Sequence, residues 1–306
     1  MEYIAQTSKS ALQRVQGMPF AWSLNPYRGC RHACLYCYAR IYHSYLGFSD
    51  PGDFDRIVLH KDDLPELLRA ELRARRTPIE GEIAIGTATD PYQALEAKQR
   101  ITRRLLEVLL AAGGAVSITT KSPLVLRDLD LLRRFARYGG VRVNMTVTVL
   151  REDLWRLLEP MTARPLSRVG ALRRLANAGI PTALFLAPVV PYFGEDEALR
   201  VLEAAAAAGV GHAMVQLLRL SPGVREWLMP RLRAHAPVPA DLLSRLYEGR
   251  DTVPGAARDQ ILSPIREVRR RCGMDRALPE LRMRRDQLSL FGQEEPKGAS
   301  GLHPRD

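Results

Sequence analysis

Residues 29–40 read Gly-Cys-Arg-His-Ala-Cys-Leu-Tyr-Cys-Tyr-Ala-Arg, and no other stretch limits the chain so tightly. Three of the four cysteines in the 306-residue sequence, Cys30, Cys34 and Cys37, fall here in a C-x-x-x-C-x-x-C spacing. Three thiolates on one short loop can ligate three irons of a 4Fe–4S cluster. The fourth iron then has no protein ligand nearby in sequence. An open coordination site is a place for a molecule that will react. Zinc is the competing reading, because His32 or His43 would complete a Cys3His set. Structural zinc usually pairs one C-x-x-C with a distant second, and the sequence has no second pair. A disulfide needs an oxidising compartment, and nothing marks the chain as secreted.

The rest of the chain alternates between strand and helix patterns. Residues 20–27 alternate apolar and polar side chains as a strand does, and Pro26 and Gly29 end them. Further strands are predicted at 82–87, 115–120, 141–149, 181–187 and 210–218, with a short extra one at 57–59. Between them, helical spacing predicts helices over 35–46, 62–75, 98–112, 124–138, 152–158, 167–178 and 196–208. Strands separated by helices of this length argue for βαβ units and a parallel sheet. From Ser221 onward the pattern is helical only, and beyond Gly292 it is rich in Glu, Pro, Gly and Ser. The expected organisation is a lead-in over 1–19, an α/β unit over 20–220, a helical extension over 221–291 and a disordered tail over 292–306.

The cysteine spacing, with Tyr36 just before the last ligand, is similar to the signature of radical S-adenosylmethionine (SAM) enzymes. Its flanks, Asn25-Pro26-Tyr27-Arg28-Gly29 and Tyr36-Cys37-Tyr38-Ala39-Arg40, resemble the spore photoproduct lyase-like branch. The resemblance implies a partial (β/α)6 TIM-type barrel. It also implies that the methionyl group of SAM chelates the open iron and that the reduced cluster splits the sulfonium, giving a 5′-deoxyadenosyl radical. A reduced flavodoxin or ferredoxin would supply the electron. By the same resemblance, residues at the C-terminal ends of strands contact SAM: Thr89 and Asp90 in Thr87-Ala88-Thr89-Asp90-Pro91-Tyr92, Lys121 after the third strand, and Thr146 in the fourth. Tyr36 and Tyr38 stand beside the last ligand. The motifs Glu159-Pro160-Met161-Thr162-Ala163-Arg164 and Ala187-Pro188-Val189 also fit the branch, with Arg164 and Arg168 left outside the expected site.

One position departs from the branch. Thr87 stands where spore photoproduct lyases carry the cysteine that returns a hydrogen to the product radical, and a hydroxyl O–H bond is too strong for that task. Cys272, at a helix end, reads as inert. The substrate is therefore open. A formal charge of +11 modestly favours a polyanion, although its arginines are scattered over many helices. DNA is the expected substrate, with RNA, a peptide or a metabolite as alternatives, and a non-enzymatic zinc-bearing nucleic-acid module as a third reading. Gln287-Leu288-Ser289-Leu290-Phe291 resembles the pentapeptide by which bacterial polymerases and repair factors bind the replication sliding clamp; it reads equally as an apolar segment packing back on the barrel. No apolar run approaches bilayer length and no apolar leader opens the sequence, so a soluble cytoplasmic protein without a membrane partner is expected.

Overall fold

Residues 1–48, 50–77 and 79–282 are described in the computed structural model. Its strands, in chain order, are β1 (Glu2–Ala5), β2 (Gln13–Arg14), β3 (Trp22–Leu24), β4 (Tyr27–Arg28), β5 (Ile57–His60), β6 (Ile83–Ile85), β7 (Val116–Thr120), β8 (Val141–Thr146), β9 (Thr182–Val189) and β10 (Ala213–Leu217). The larger sheet has the order β10-β9-β8-β7-β6-β3-β2. Its six strands from β3 to β10 are mutually parallel, and β2 joins antiparallel at the β3 edge. Parallel neighbours require long crossovers. These are the helices Leu64–Ala74, Ile101–Ala111, Leu129–Arg137, Pro165–Asn177 and Glu195–Ala207. All six strand ends therefore collect on one rim, as in a partial TIM-type barrel.

Strand β8 shows why the sheet has two different faces. It reads Val-Arg-Val-Asn-Met-Thr, and all six residues are buried. Val141, Val143 and Met145 share one apolar core with Leu132, Phe135 and Leu172 of the helices. Their neighbours point the other way. Asn144 Nδ2 donates to Thr119 Oγ1 at 3.2 Å, and Arg142 Nη2 donates to Glu82 at 2.9 Å. Period-two alternation thus covers the sheet with helices outside and lines the barrel with bonded polar groups inside. A second apolar cluster sits at the rim. There Cys34, Leu35 and Tyr36 pack with Leu154, Leu158, Val224, Leu228, Leu243 and Tyr247. The last four belong to or follow the helices Pro222–His235 and Pro237–Leu246.

Three sequence expectations need correction. No element is expected before residue 20, yet β1 pairs parallel with β5 and β2 pairs with β3. Both are short, mostly exposed strands, too brief for any local periodicity to mark them. The helix expected over 35–46 is a 3₁₀-helix, Tyr38–Leu46. The helix expected over 98–112 is broken at Arg100, which takes φ +51°. The Glu96 carboxylate accepts from Thr102 N at 3.0 Å and so starts a new helix at Ile101. The clamp-like pentapeptide and the tail expected to be disordered lie outside the described residues. No described helix is long and apolar enough to cross a membrane.

Candidate active site

The cysteine loop leaves β4 through Gly29, at φ +77°. A Cβ there would lie 2.4 Å from the Ile57 carbonyl oxygen and 3.0 Å from His43 Cε1. Gly86 ends β6 in the same manner, at φ +94°, with a Cβ position 2.4 Å from the Thr119 oxygen. Backbone this close to backbone leaves room only for hydrogen. Gly86→Ala should therefore lower stability by about 2–4 kcal/mol, from left-handed strain plus overpacking. Urea unfolding of the purified variant measures this, and a loss under about 0.5 kcal/mol would mean that the strand end yields freely.

The three thiols crowd a buried corner. Burial pushes the Cys30 thiol well above its ordinary value, and Asp90, Cys34 and Cys37 add to the rise. Burial likewise raises Cys34 to about 12, against the pull of Lys121. Cys37 is raised by burial and opposed by Lys121 and Arg40. Mutual repulsion of this kind requires the thiols to lie near one another. Each histidine of the zinc reading has one ring nitrogen bonded. His32 Nδ1 lies 3.2 Å from Asp90, and His43 Nε2 lies 3.2 Å from the Ile57 oxygen, with its ring on Phe48 and Phe54. Among the described residues no three His, Cys, Asp or Glu side chains converge on a point fit for one ion. A cubane suits such an arrangement better, since its irons are ligated one by one around a wider body. Iron would also displace protons that burial holds on the sulfurs.

Asp90 is a hub of the rim. Its Oδ1 accepts from Thr120 Oγ1 at 2.7 Å and Tyr92 N at 2.9 Å, and its Oδ2 accepts from Lys121 N at 2.7 Å. Burial would raise its pKa, but His32 and these donors hold it down at about 2. Thr89 Oγ1 donates to the Gly29 oxygen at 2.7 Å and accepts from Gln93 Nε2 at 3.1 Å. Both side chains thus tie the β6 end to the cysteine loop and to β7. Tyr38 is exposed on its outer side, and its hydroxyl donates to the Thr87 oxygen. Thr87 Oγ1 itself pairs with Ser23 Oγ at 2.7 Å and accepts from Asn25 Nδ2 at 3.0 Å.

Lys121 differs from its neighbours. Its ammonium lies 5.6 Å from the centre of the Tyr36 ring and makes no ion pair or hydrogen bond among the described residues. Burial would lower its pKa, yet Cys34 and Glu159 raise it, so the group is a fixed cation.

Two functional candidates lie outside the expected set. Glu159 accepts the Tyr36 hydroxyl and receives Thr148 Oγ1 at 3.0 Å. Arg168 is fully buried. It contacts Glu159 Oε2 at 2.5 Å and donates to the Ala163 oxygen (2.8 Å), Thr162 Oγ1 (2.7 Å) and the Thr146 oxygen (3.1 Å). Burial would raise the Glu159 pKa, but Arg168 and Lys121 lower it, so it remains a carboxylate. The expected residue Thr146 is thereby held through its carbonyl, with its side chain buried. The motif containing Glu159 is visible in the sequence. Its ion pair with Arg168 is not, because nothing local marks which of the neighbouring arginines turns inward.

A family model described as the radical SAM superfamily matches residues 24–205, more than half of the chain. An uncharacterized protein of Mycobacterium tuberculosis (strain H37Rv) is 36% identical over 286 residues, covering 89% of this chain and 82% of that one. An uncharacterized protein of Methanocaldococcus jannaschii is 32% identical over 168 residues, covering 55% and 60%. Among solved structures, spore photoproduct lyase complexed with dinucleoside spore photoproduct superposes with a TM-score of 0.64 at 16% identity, covering 89% of this chain and 80% of that one. A variant of that lyase with bound SAM and the same dinucleoside gives 0.64 at 17%, with the same coverage. Six parallel strands with a three-cysteine loop on their rim, matched over most of their length, identify this chain as an enzyme of the radical SAM superfamily.

Proposed function

We propose that the chain binds a 4Fe–4S cluster through Cys30, Cys34 and Cys37, cleaves SAM reductively, and acts on DNA in a lyase-like or repair reaction. The observation that supports this reading is the Lys121 ammonium, which lies near the Cys34 thiol and makes no ion pair or hydrogen bond of its own among the described residues. The methionyl carboxylate of SAM supplies the matching charge, and a charge-assisted bond in a partly buried site is strong. A bound and reduced cluster would supply the electron that divides SAM into methionine and a 5′-deoxyadenosyl radical.

The protein's own part is to hold and aim. Lys121 pairs with the carboxylate, while Glu159 fixes the Tyr36 hydroxyl. Tyr36, Tyr38 and Thr146 form the sides, and Thr89 and Asp90 set the backbone on which the ammonium rests. Leu154, Leu158 and Leu228 keep water from this corner. A reduced flavodoxin or ferredoxin would deliver the electron. DNA is supported by the formal charge of +11 and by the dinucleoside bound to structures of similar fold. Thr87, already bonded to Ser23 and Asn25, takes no part in returning hydrogen. Delivery to DNA through the clamp-like pentapeptide is tested by clamp pull-down with Leu290→Ala/Phe291→Ala, where capture equal to wild type would remove that partner.

Anaerobic reconstitution tests the core of the proposal. About four irons and four sulfides per chain should appear, together with reductant-dependent 5′-deoxyadenosine that rises with damaged DNA and not with RNA or peptide. Zinc without iron would refute it. Lys121→Met should raise the KM for SAM about 10–100-fold, the loss expected for one charge-assisted bond. An unchanged KM would place the carboxylate elsewhere.

A further inference from the structure

The 3₁₀-helix Tyr38–Leu46 buries Ala39, Arg40 and His43 on its inner side. Arg40 N donates to the Cys37 oxygen at 3.4 Å, so this residue stands one turn after the last cysteine. Its side chain is 4% exposed, and bulk water does not reach it freely. The guanidinium carbon lies 4.5 Å from the centre of the Trp227 ring and 5.4 Å from that of Phe54. Trp227 comes from the helix Pro222–His235, which packs against Tyr38–Leu46.

A guanidinium carries five N–H bonds in one rigid plane. Four of those on Arg40 are accounted for. Nη1 donates to the Pro51 oxygen at 2.7 Å and to Asp55 Oδ2 at 2.9 Å. Nη2 donates to Asp55 Oδ1 at 2.9 Å and to the Cys34 oxygen at 3.1 Å. The fifth, on Nε, is buried and has no acceptor among the described residues. Its direction follows from the other four. The Asp55 carboxylate takes the end of the fork, with one N–H from each Nη. The second N–H of Nη2 lies on the same edge as Nε–H, and it points at the Cys34 carbonyl. The orphaned donor therefore faces the cysteine loop.

A buried N–H without an acceptor calls for one from outside the fold. Burial raises the Cys37 thiol, while Arg40 opposes that rise and Asp55 adds to it, so the ion pair acts on this sulfur. Cys37 also packs with Phe54 on one side and with the apolar cluster containing Trp227 on the other. The sulfurs of an iron–sulfur cluster accept hydrogen bonds, and these bonds tune its reduction potential. A donor favours the reduced form, which carries the extra negative charge.

We infer that Arg40 donates its Nε–H to a sulfur of the bound cluster on the Cys37 side and raises the cluster's reduction potential, with Asp55 and Trp227 holding the guanidinium in place. This inference rests on the proposal that Cys30, Cys34 and Cys37 bind a 4Fe–4S cluster.

The test is an EPR-monitored redox titration of the reconstituted full chain without SAM, with pulsed EPR of protein whose arginine nitrogens are isotopically labelled. Arg40→Lys keeps the charge and a partner for Asp55 but has no Nε–H. It should shift the couple about tenfold toward the oxidised form, a fall of about 59 mV for one electron. Asp55→Asn keeps the Nε–H and removes an anion, so its potential should rise instead. In the wild type, the reduced cluster should couple to an arginine nitrogen. Arg40→Lys should abolish that coupling while iron content and circular dichroism stay unchanged. A potential unchanged in Arg40→Lys, or coupling that persists in it, overturns the hydrogen bond and gives Nε–H to a buried water. A fall in both variants assigns the shift to damage at the ion pair and overturns it too. A wild-type cluster that forms but shows no arginine coupling sinks this inference alone. If the wild type takes up no iron, the cluster proposal falls and this inference with it.

Discussion

Cys34→Ala should yield a folded protein that retains little iron and forms 5′-deoxyadenosine only at background. With two sulfurs left, the cubane loses one of its three anchors. The one thiol outside the loop, Cys272, lies at the end of the helix Gly255–Arg271 and offers no replacement. The thiol's small volume at the edge of the rim cluster, beside Leu35 and Leu158, keeps the structural cost low, about 1 kcal/mol. Iron and sulfide content, the visible absorption of the cluster and cleavage of SAM under dithionite should all fall together. Circular dichroism should not. Full cleavage in this variant would end the assignment of the three cysteines.

The second large effect concerns stability. Arg168→Met removes a fully buried guanidinium and leaves Glu159 as a buried charge without its partner. Breaking such a pair from one side costs about 3–5 kcal/mol. The Ala163 and Thr146 carbonyls lose their donor as well, which loosens the end of β8. Urea unfolding should therefore show a large drop in midpoint. Adding Glu159→Gln should recover part of it, since the orphaned charge is then gone. Strict additivity of the two changes would show that the residues do not act as a pair. In the reconstituted enzyme, Arg168→Met should also weaken SAM binding through Tyr36, whose hydroxyl depends on Glu159.

Much of this was written in the chain where the cause is local. The spacing of Cys30, Cys34 and Cys37 and the alternation Val-Arg-Val-Asn-Met-Thr in β8 act over a few residues, and both read directly. All six core strands form close to their expected places, because each carries its own period and is followed by a helix. What stayed hidden depends on which groups folding brings together. Strand β1 exists because β5 offers an edge. The break at Arg100 exists because Glu96 turns back to receive Thr102 N. Thr89 and Asp90 stand where expected, yet their side chains spend themselves on Gly29, Thr120 and Lys121 N, a use that no spacing announces. Arg168 looked like any helix-start arginine until folding set it against Glu159.

The rim cluster joins Cys34, Leu35 and Tyr36 to Val224, Leu228, Leu243 and Tyr247, so the cysteine loop is made early on the ribosome and its cover nearly two hundred residues later. While most of the chain is being synthesised, the helices that bury those sulfurs do not yet exist. For the proposed cluster, that order would leave a window for loading before the helices close over the loop.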